Sequence, residues 1–209
     1  MRNSAAKKYT QLMLLAMTLL LAACGYLIQP KIKSGILYLE KGNYKIDPQH
    51  TSVLFKINHM GMSVFVGRFD QVQATLEFDP HNIASAKLSA VIDIASIDVN
   101  NKDLEQSLRG SSWFDANKYP QAFFNTTSVQ LIDEKRAQFT GLLNLHGITQ
   151  PIVIDVVFNG GGNNVLTGHY TLGFSAVSSF KRSRFGMDYL IPAIADDVDI
   201  EVFTEFQQQ

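Results

Sequence analysis

The stretch 198-VDIEVFTEF-206 sets Val198, Ile200, Val202 and Phe206 against Asp199, Glu201 and Glu205. Alternation with a period of two marks a strand with one buried and one solvated face. Working back along the chain, the same rule orders Val53, Phe55 and Ile57 against Leu54, Lys56 and Asn58, and Leu76 and Phe78 against Thr75 and Glu77. It recurs in Leu88, Ala90, Ile92 and Ile94, in Phe139, Gly141, Leu143 and Leu145, in Ile152, Ile154, Val156 and Phe158, and in Tyr170, Leu172 and Phe174. Turn signals separate these runs: FDPHN at 78–82, IDEKR at 132–136, HGITQP at 146–151 and NGGGNN at 159–164, the last expected to form a hairpin loop. One segment, 101-NKDLEQSLRG-110, changes period. It places Leu104 and Leu108 on one helical face, with Asn101 as N-cap and Gly110 as a stop. Many short strands with turn chemistry between them indicate a sandwich or an antiparallel barrel. Closure removes exposed strand edges. The expected fold is therefore all-β, an antiparallel barrel of about eight strands with a short helix before the Trp113-Phe114 segment.

The chain ahead of residue 43 has a different character. Arg2, Lys7 and Lys8 precede an uncharged apolar run from Leu12 to Ile28, and the one cysteine of the sequence, Cys24, sits near its end. A basic start followed by an apolar run and small residues describes a secretory signal. Leu21-Ala22-Ala23-Cys24 resembles the bacterial lipobox, in which signal removal leaves a lipid-modified cysteine first in the mature chain. Two other readings stay open: an uncleaved transmembrane anchor, for which the run is at the short limit, and an ordinary signal that leaves a soluble periplasmic protein. Cys24 has no second cysteine to pair with, and acylation gives a lone thiol in an exported protein a role. The expected organisation is a lipoprotein signal at 1–23, a tether at 24–42 in which Ile36, Leu37 and Leu39 are candidates to pack on the domain, and a barrel at 43–209. Loss of Arg2, Lys7 and Lys8 leaves 15 basic against 19 acidic residues, a net charge near −4, with no reason to expect a nucleic-acid partner.

Four stretches together resemble the YceI-like family of exported, lipocalin-like barrels that bind polyisoprenoid or related lipids. They are DPQHTSVLFKINHMGMSVFVGRF at 47–69, SLRGSSWFDANKYPQAFF at 107–124, GLLNLHGITQPIVI at 141–154 and FKRSRFGMDYLIPAIADDVDIEV at 180–202. In the first, His50, Phe55, His59, Gly67 and Phe69 fall at the family spacing.

Taken alone, the inward faces of the strands suit a solid core as well as a hollow lumen. The resemblance implies the hollow form, lined by Val53, Phe55, Ile57, Leu76, Ile92, Phe139, Leu143, Ile154, Leu172 and Phe174 and holding a long isoprenoid or similar lipid, with no other cofactor. Trp113 and Phe114 are then candidates for a gate, and Arg109 and Arg182 for contact with a polar or phosphate head group. The histidines lack metal-ligand spacing and any HExxH pattern, so structural imidazoles are expected. No Gly-x-Ser-x-Gly is present, and nothing in the residues points to catalysis. The expected function is lipid carriage or sequestration on the periplasmic side of a bacterial envelope; the alternative is an enzyme or redox accessory acting on a quinone or isoprenoid in the same lumen. The residues do not specify an oligomeric state.

Gly25, rather than Asp, after Cys24 points to the outer rather than the inner membrane. Two acyl chains suffice for stable anchoring, so Cys24→Ser is expected to move the protein from the membrane to the soluble fraction, or to leave the precursor uncut. Fractionation and the mass of the mature protein check this; a mature chain with unmodified Cys24, or one that starts elsewhere, rules the lipobox out.

Overall fold

The strand that carries the 198–206 alternation, β11 (Ile194–Gln208), is the seam of the molecule. A computed structural model describes residues 29–209 together with 7–9, 11–13 and 17; Cys24 and the rest of the expected signal lie outside the described residues. The remaining strands are β1 (Gly42–Ile46), β2 (Ser52–His59), β3 (Ser63–Phe69), β4 (Val72–Phe78), β5 (Lys87–Asp93), β6 (Ile97–Asp98), β7 (Gln121–Leu131), β8 (Arg136–Leu145), β9 (Ile148–Asn163) and β10 (Tyr170–Lys181). The helix α1 spans Lys102–Leu108. Strands β1, β4, β5, β7, β8, β9, β10 and β11 hydrogen-bond in that order, and β11 pairs back to β1, so eight antiparallel strands close a barrel.

β11 is shared. Its C-terminal end pairs with β1 through Tyr44–Gln208 and Ile46–Phe206, while its N-terminal part pairs with β2 through Val53–Val202 and Ile57–Val198. The chain bends between β1 and β2 at Asp47–Thr51, and β3 follows β2 instead of β5. On its edge away from β2, β3 pairs only with the two-residue β6, at Arg68–Asp98 and Phe69–Ile97. On the other side of β6 lie α1 and residues 109–119. Leu104, Leu108 and Trp113 pack with Ile97, Phe55 and Val198, and Phe114 meets the rings of Phe55 and Phe69 at 6.5 and 5.7 Å. The α1 N-cap is as expected, with Asn101 Oδ1 accepting from the Leu104 N–H at 3.1 Å.

Asp47 fixes the bend. Its carboxylate accepts from the Gln49 N–H at 2.9 Å, from His50 Nδ1 at 2.8 Å and from Gln207 Nε2 at 2.7 Å. Asp47, His50 and Glu205 are the one group among the described residues whose ligand atoms approach as a metal site would. The hydrogen bonds already made by Asp47 explain the cluster as a brace. Burial pushes the Asp47 carboxyl up, but the bonds from His50 and Gln49 outweigh it and hold the group below its ordinary value. His50 is raised, chiefly by its bond to Asp47.

Local sequence explains the turns. His146 and Gly147 both take positive φ, 52° and 76°, the geometry a two-residue hairpin between β8 and β9 demands. Gly67 and Gly141 lie under the rings of Phe55 and Phe124, which a Cβ at either position would strike. The expected hairpin loop at 159–164 is overturned. Gly160–Gly162 continue β9, after a bulge at Asn159, and the turn falls after Asn163. The glycines serve close approach instead: Lys33 and Gly161 exchange N–H···O bonds of 2.8 and 3.0 Å, and a Cβ on Gly162 would lie 2.8 Å from the Lys31 carbonyl.

That contact lays residues 31–33 of the expected tether against the barrel. Ile36 and Leu39 are buried and join Tyr44, Phe158, Tyr170, Leu172 and Phe206 in a solid floor, whereas Leu37 is 58% exposed. Leu39→Ala is expected to cost about 2–4 kcal/mol and Leu37→Ala less than about 0.5 kcal/mol, both read by urea unfolding. Asp47 adds stability above roughly pH 4 that is lost as pH falls through its lowered value, and His50 adds stability below roughly pH 6.5 that is lost as pH rises through its raised value. Asp47→Asn should therefore destabilise at pH 6 and converge on wild type in acid, measured as denaturation midpoint against pH.

Candidate functional site

Above the floor the inward side chains do not meet, and they enclose a cavity of about 510 Å³. This volume is within the range of small-molecule sites. Val53, Phe55 and Ile57 reach it from β2, Leu76 from β4, Ile92 from β5, Phe139 and Leu143 from β8, Ile154 from β9 and Phe174 from β10. The period-two pattern aims each of them inward, since their strand neighbours point to solvent. Leu172 is the exception among the expected lining residues: it is fully buried in the floor cluster and does not reach the cavity.

The mouth is built from irregular chain. His59 at the end of β2, Phe65 of β3, Leu104 of α1, and Leu190 and Ile194 border the cavity there. The β2–β3 hairpin is tied to the 187–194 loop by the Met60 N–H to Ala193 carbonyl bond of 2.7 Å. Met60, Met62 and Leu190 expose much of their apolar surface beside the opening. Trp113 and Phe114 both line the cavity, and the Trp113 indole stands edge-on to Tyr189 at 5.2 Å, so that pair spans the 109–119 segment and the 187–194 loop.

The two arginines expected at a head group are otherwise engaged. Arg182 borders the cavity but is only 3% exposed. Its guanidinium donates to the carbonyls of Met187 at 2.6 Å and of Tyr189, Ile194 and Ala195 at 2.9 Å, with the Trp113 ring 5.7 Å away. Burial pulls its pKa down, with Asp196 and Asp188 acting in the other direction. Arg109 does not reach the cavity; it donates to the Ala95 carbonyl at 3.0 Å and to Glu105 at 3.2 Å.

The other polar side chains on the wall are few. Ser178 Oγ donates to the Val153 carbonyl at 2.7 Å, and Thr204 Oγ1 lies 2.8 Å from Thr51 Oγ1. The His59 imidazole and the Trp113 indole N–H have no hydrogen-bond partner among the described residues, although the His59 carbonyl accepts from the Met62 N–H. The sequence marked His59 by its place in the family spacing but not as a cavity residue, because its position depends on the strand's inward register and on the hairpin that follows it. The arrangement is a hydrocarbon sleeve with a sparse polar rim, suited to hold an apolar chain.

Residues 44–206 match the YceI-like domain. A UPF0312 protein of Vibrio campbellii is 35% identical over 167 residues, which are 78% of this chain and 86% of that relative. The crystal structure of Burkholderia cenocepacia BcnA superposes with a TM-score of 0.70 at 26% identity, covering 77% of this chain and 98% of that one. A polyisoprenoid binding domain from Saccharophagus degradans shares the fold, with a TM-score of 0.61 at 13% identity over 81% of this chain and all of its own. The match along nearly the whole barrel and the likeness of the curated relative agree: this chain belongs to the YceI-like family.

Proposed function

We propose that this barrel is a carrier, holding the tail of a long isoprenoid or similar amphiphile in its lumen for transport or sequestration at the bacterial envelope. The observation that carries the reading is the hollow itself. At ~24 cal/mol per Å³, an unfilled cavity of about 510 Å³ forgoes on the order of 10 kcal/mol of packing, comparable to the whole stability of an ordinary domain. An apolar chain burying ~400 Å² would recover a similar amount before its own ordering cost. The polyisoprenoid binding of the Saccharophagus domain supports the choice of ligand class. The wall offers no nucleophile–base pair, which favours binding over catalysis.

The proposed address follows from Cys24 as a lipid attachment. About seven residues separate it from Lys31 beside Gly162, a reach of at most ~25 Å. The anchor then leaves the barrel at the floor, and the mouth lies at the other end.

Leu143→Trp tests the lumen. It is expected to abolish most lipid retained after delipidation and reloading, with a smaller stability loss than the ~1–3 kcal/mol of overpacking a filled core. Thr140→Trp, on the outward side of β8, should leave retention unchanged. Mass spectrometry of the organic extract and the thermal midpoint read the two effects; normal retention with a large loss of stability in Leu143→Trp defeats the carrier reading.

A further inference from the structure

We infer that the cavity selects a long-chain lipid with an uncharged oxygen head group, an alcohol or a quinone-type carbonyl, and that His59 is the residue that recognises it. The inference rests on the carrier reading and specifies its ligand. The floor is closed by hydrocarbon, with Leu76, Phe139 and Phe206 on the cavity side, so a lipid fits tail first and leaves its head at the mouth.

At that end the hydrogen-bonding capacity is nearly spent. Arg182 is satisfied there by four backbone carbonyls, and deeper along the wall Ser178 and Thr204 are satisfied by the protein itself. His59 is half-buried, borders the cavity and sits on β2 between Ser63 of the β2–β3 hairpin and Ile194 of β11. A neutral imidazole presents one donor and one acceptor, enough for one hydroxyl or carbonyl. The Trp113 N–H adds a donor and no acceptor.

An anionic head finds little to hold it. Lys102 is bonded to Glu105 at 2.8 Å, Arg109 to the same carboxylate, Lys181 to Asp197 at 3.0 Å and Arg184 to the Gln150 side chain at 3.1 Å. Asp188 lies close enough to Arg182 to act on its charge and would repel a phosphate. A diphosphate would have to break these pairs or stay in water, gaining nothing from the protein in either case.

The test uses delipidated full-length protein and three probes with C20 isoprenoid tails: geranylgeraniol, geranylgeranyl diphosphate and the hydrocarbon phytane. Trp113, the only tryptophan, reports occupancy by its fluorescence. Wild type is expected to bind the alcohol about tenfold more tightly than either of the other two, the worth of one well-placed hydrogen bond. His59→Leu should bring the alcohol to the level of phytane while leaving phytane within about twofold, and His59→Gln should restore part of the preference. Tightest binding of the diphosphate, or an equal loss for all three probes in His59→Leu, overturns the inference and leaves the carrier reading standing. Failure of all three to bind overturns the carrier reading, and the inference with it.

Discussion

One strand with two partners organises this molecule. β11 is long enough for β1 to close the barrel against its C-terminal end while β2 pairs with the rest of it. The bend that separates β1 from β2 therefore decides where the wall is continuous and where it parts. Below the bend, β1, β4 and β5 continue the ladder; beyond it, β3 leaves β6 with no strand on its far side, and α1 with Trp113 and Phe114 covers the gap. Asp47 is short of freedom at that corner because it satisfies a backbone N–H, an imidazole and the Gln207 amide at once. A mouth edged by helix and loop, on a barrel otherwise sealed by strands, is the consequence.

Six of the eight barrel strands, β4, β5 and β8 to β11, were legible in the sequence because each has one solvated face, whereas no alternating run was read at β1 or β7. Where one face is wet, a slip of one residue would expose the whole apolar set, so the alternation in β11 or β8 fixes register as well as structure. The hairpin at His146-Gly147 was legible for a similarly local reason, since positive φ at both positions selects such a pair. Gly160–Gly162 were misread because glycine signals two different needs. Here it admits a neighbouring backbone, that of Lys31–Lys33, and no local pattern distinguishes this from a turn. Leu172 was misassigned for a related reason. It points inward as expected, but at the level of Ile36 and Leu39, where the barrel is already filled. Depth along the axis depends on pairing across strands and on a segment far away in sequence.

Arg182 shows how little charge alone says about place. KRSR at 181–184 is a run of like charge, yet Lys181 and Arg184 face solvent while Arg182 is buried between them. The cause lies downstream. The chain from 187 to 193 is irregular, with Leu190 at positive φ, and β11 opens with a break in register between Ile194 and Val198, so several carbonyls there have no ladder to bond. A planar guanidinium with five donors can serve them together, and it does so at Met187, Tyr189, Ile194 and Ala195. A group that seemed available for a ligand instead holds the rim in shape, and with it the Trp113–Tyr189 contact.

A hollow barrel must find its stability away from its centre, and the aromatic residues show where. At the floor, Phe174 meets Phe158 and Phe206 at 5.5 and 5.9 Å, and at the other end Phe180 meets Phe185 at 5.2 Å beside the Phe55–Phe69–Phe114 group. Such pairs add about 0.5–1.5 kcal/mol beyond the area they bury. Dense ends clamp the strands so that the middle can remain unfilled without collapsing. The same division separates the tasks of the residues: aromatic pairs and the Ile36–Leu39 plug carry the fold, while smaller aliphatic side chains such as Leu143, Ile154 and Ile92 define the space between them. A substitution in the middle then changes the shape of the cavity more than the stability of the barrel, and one at either end does the reverse.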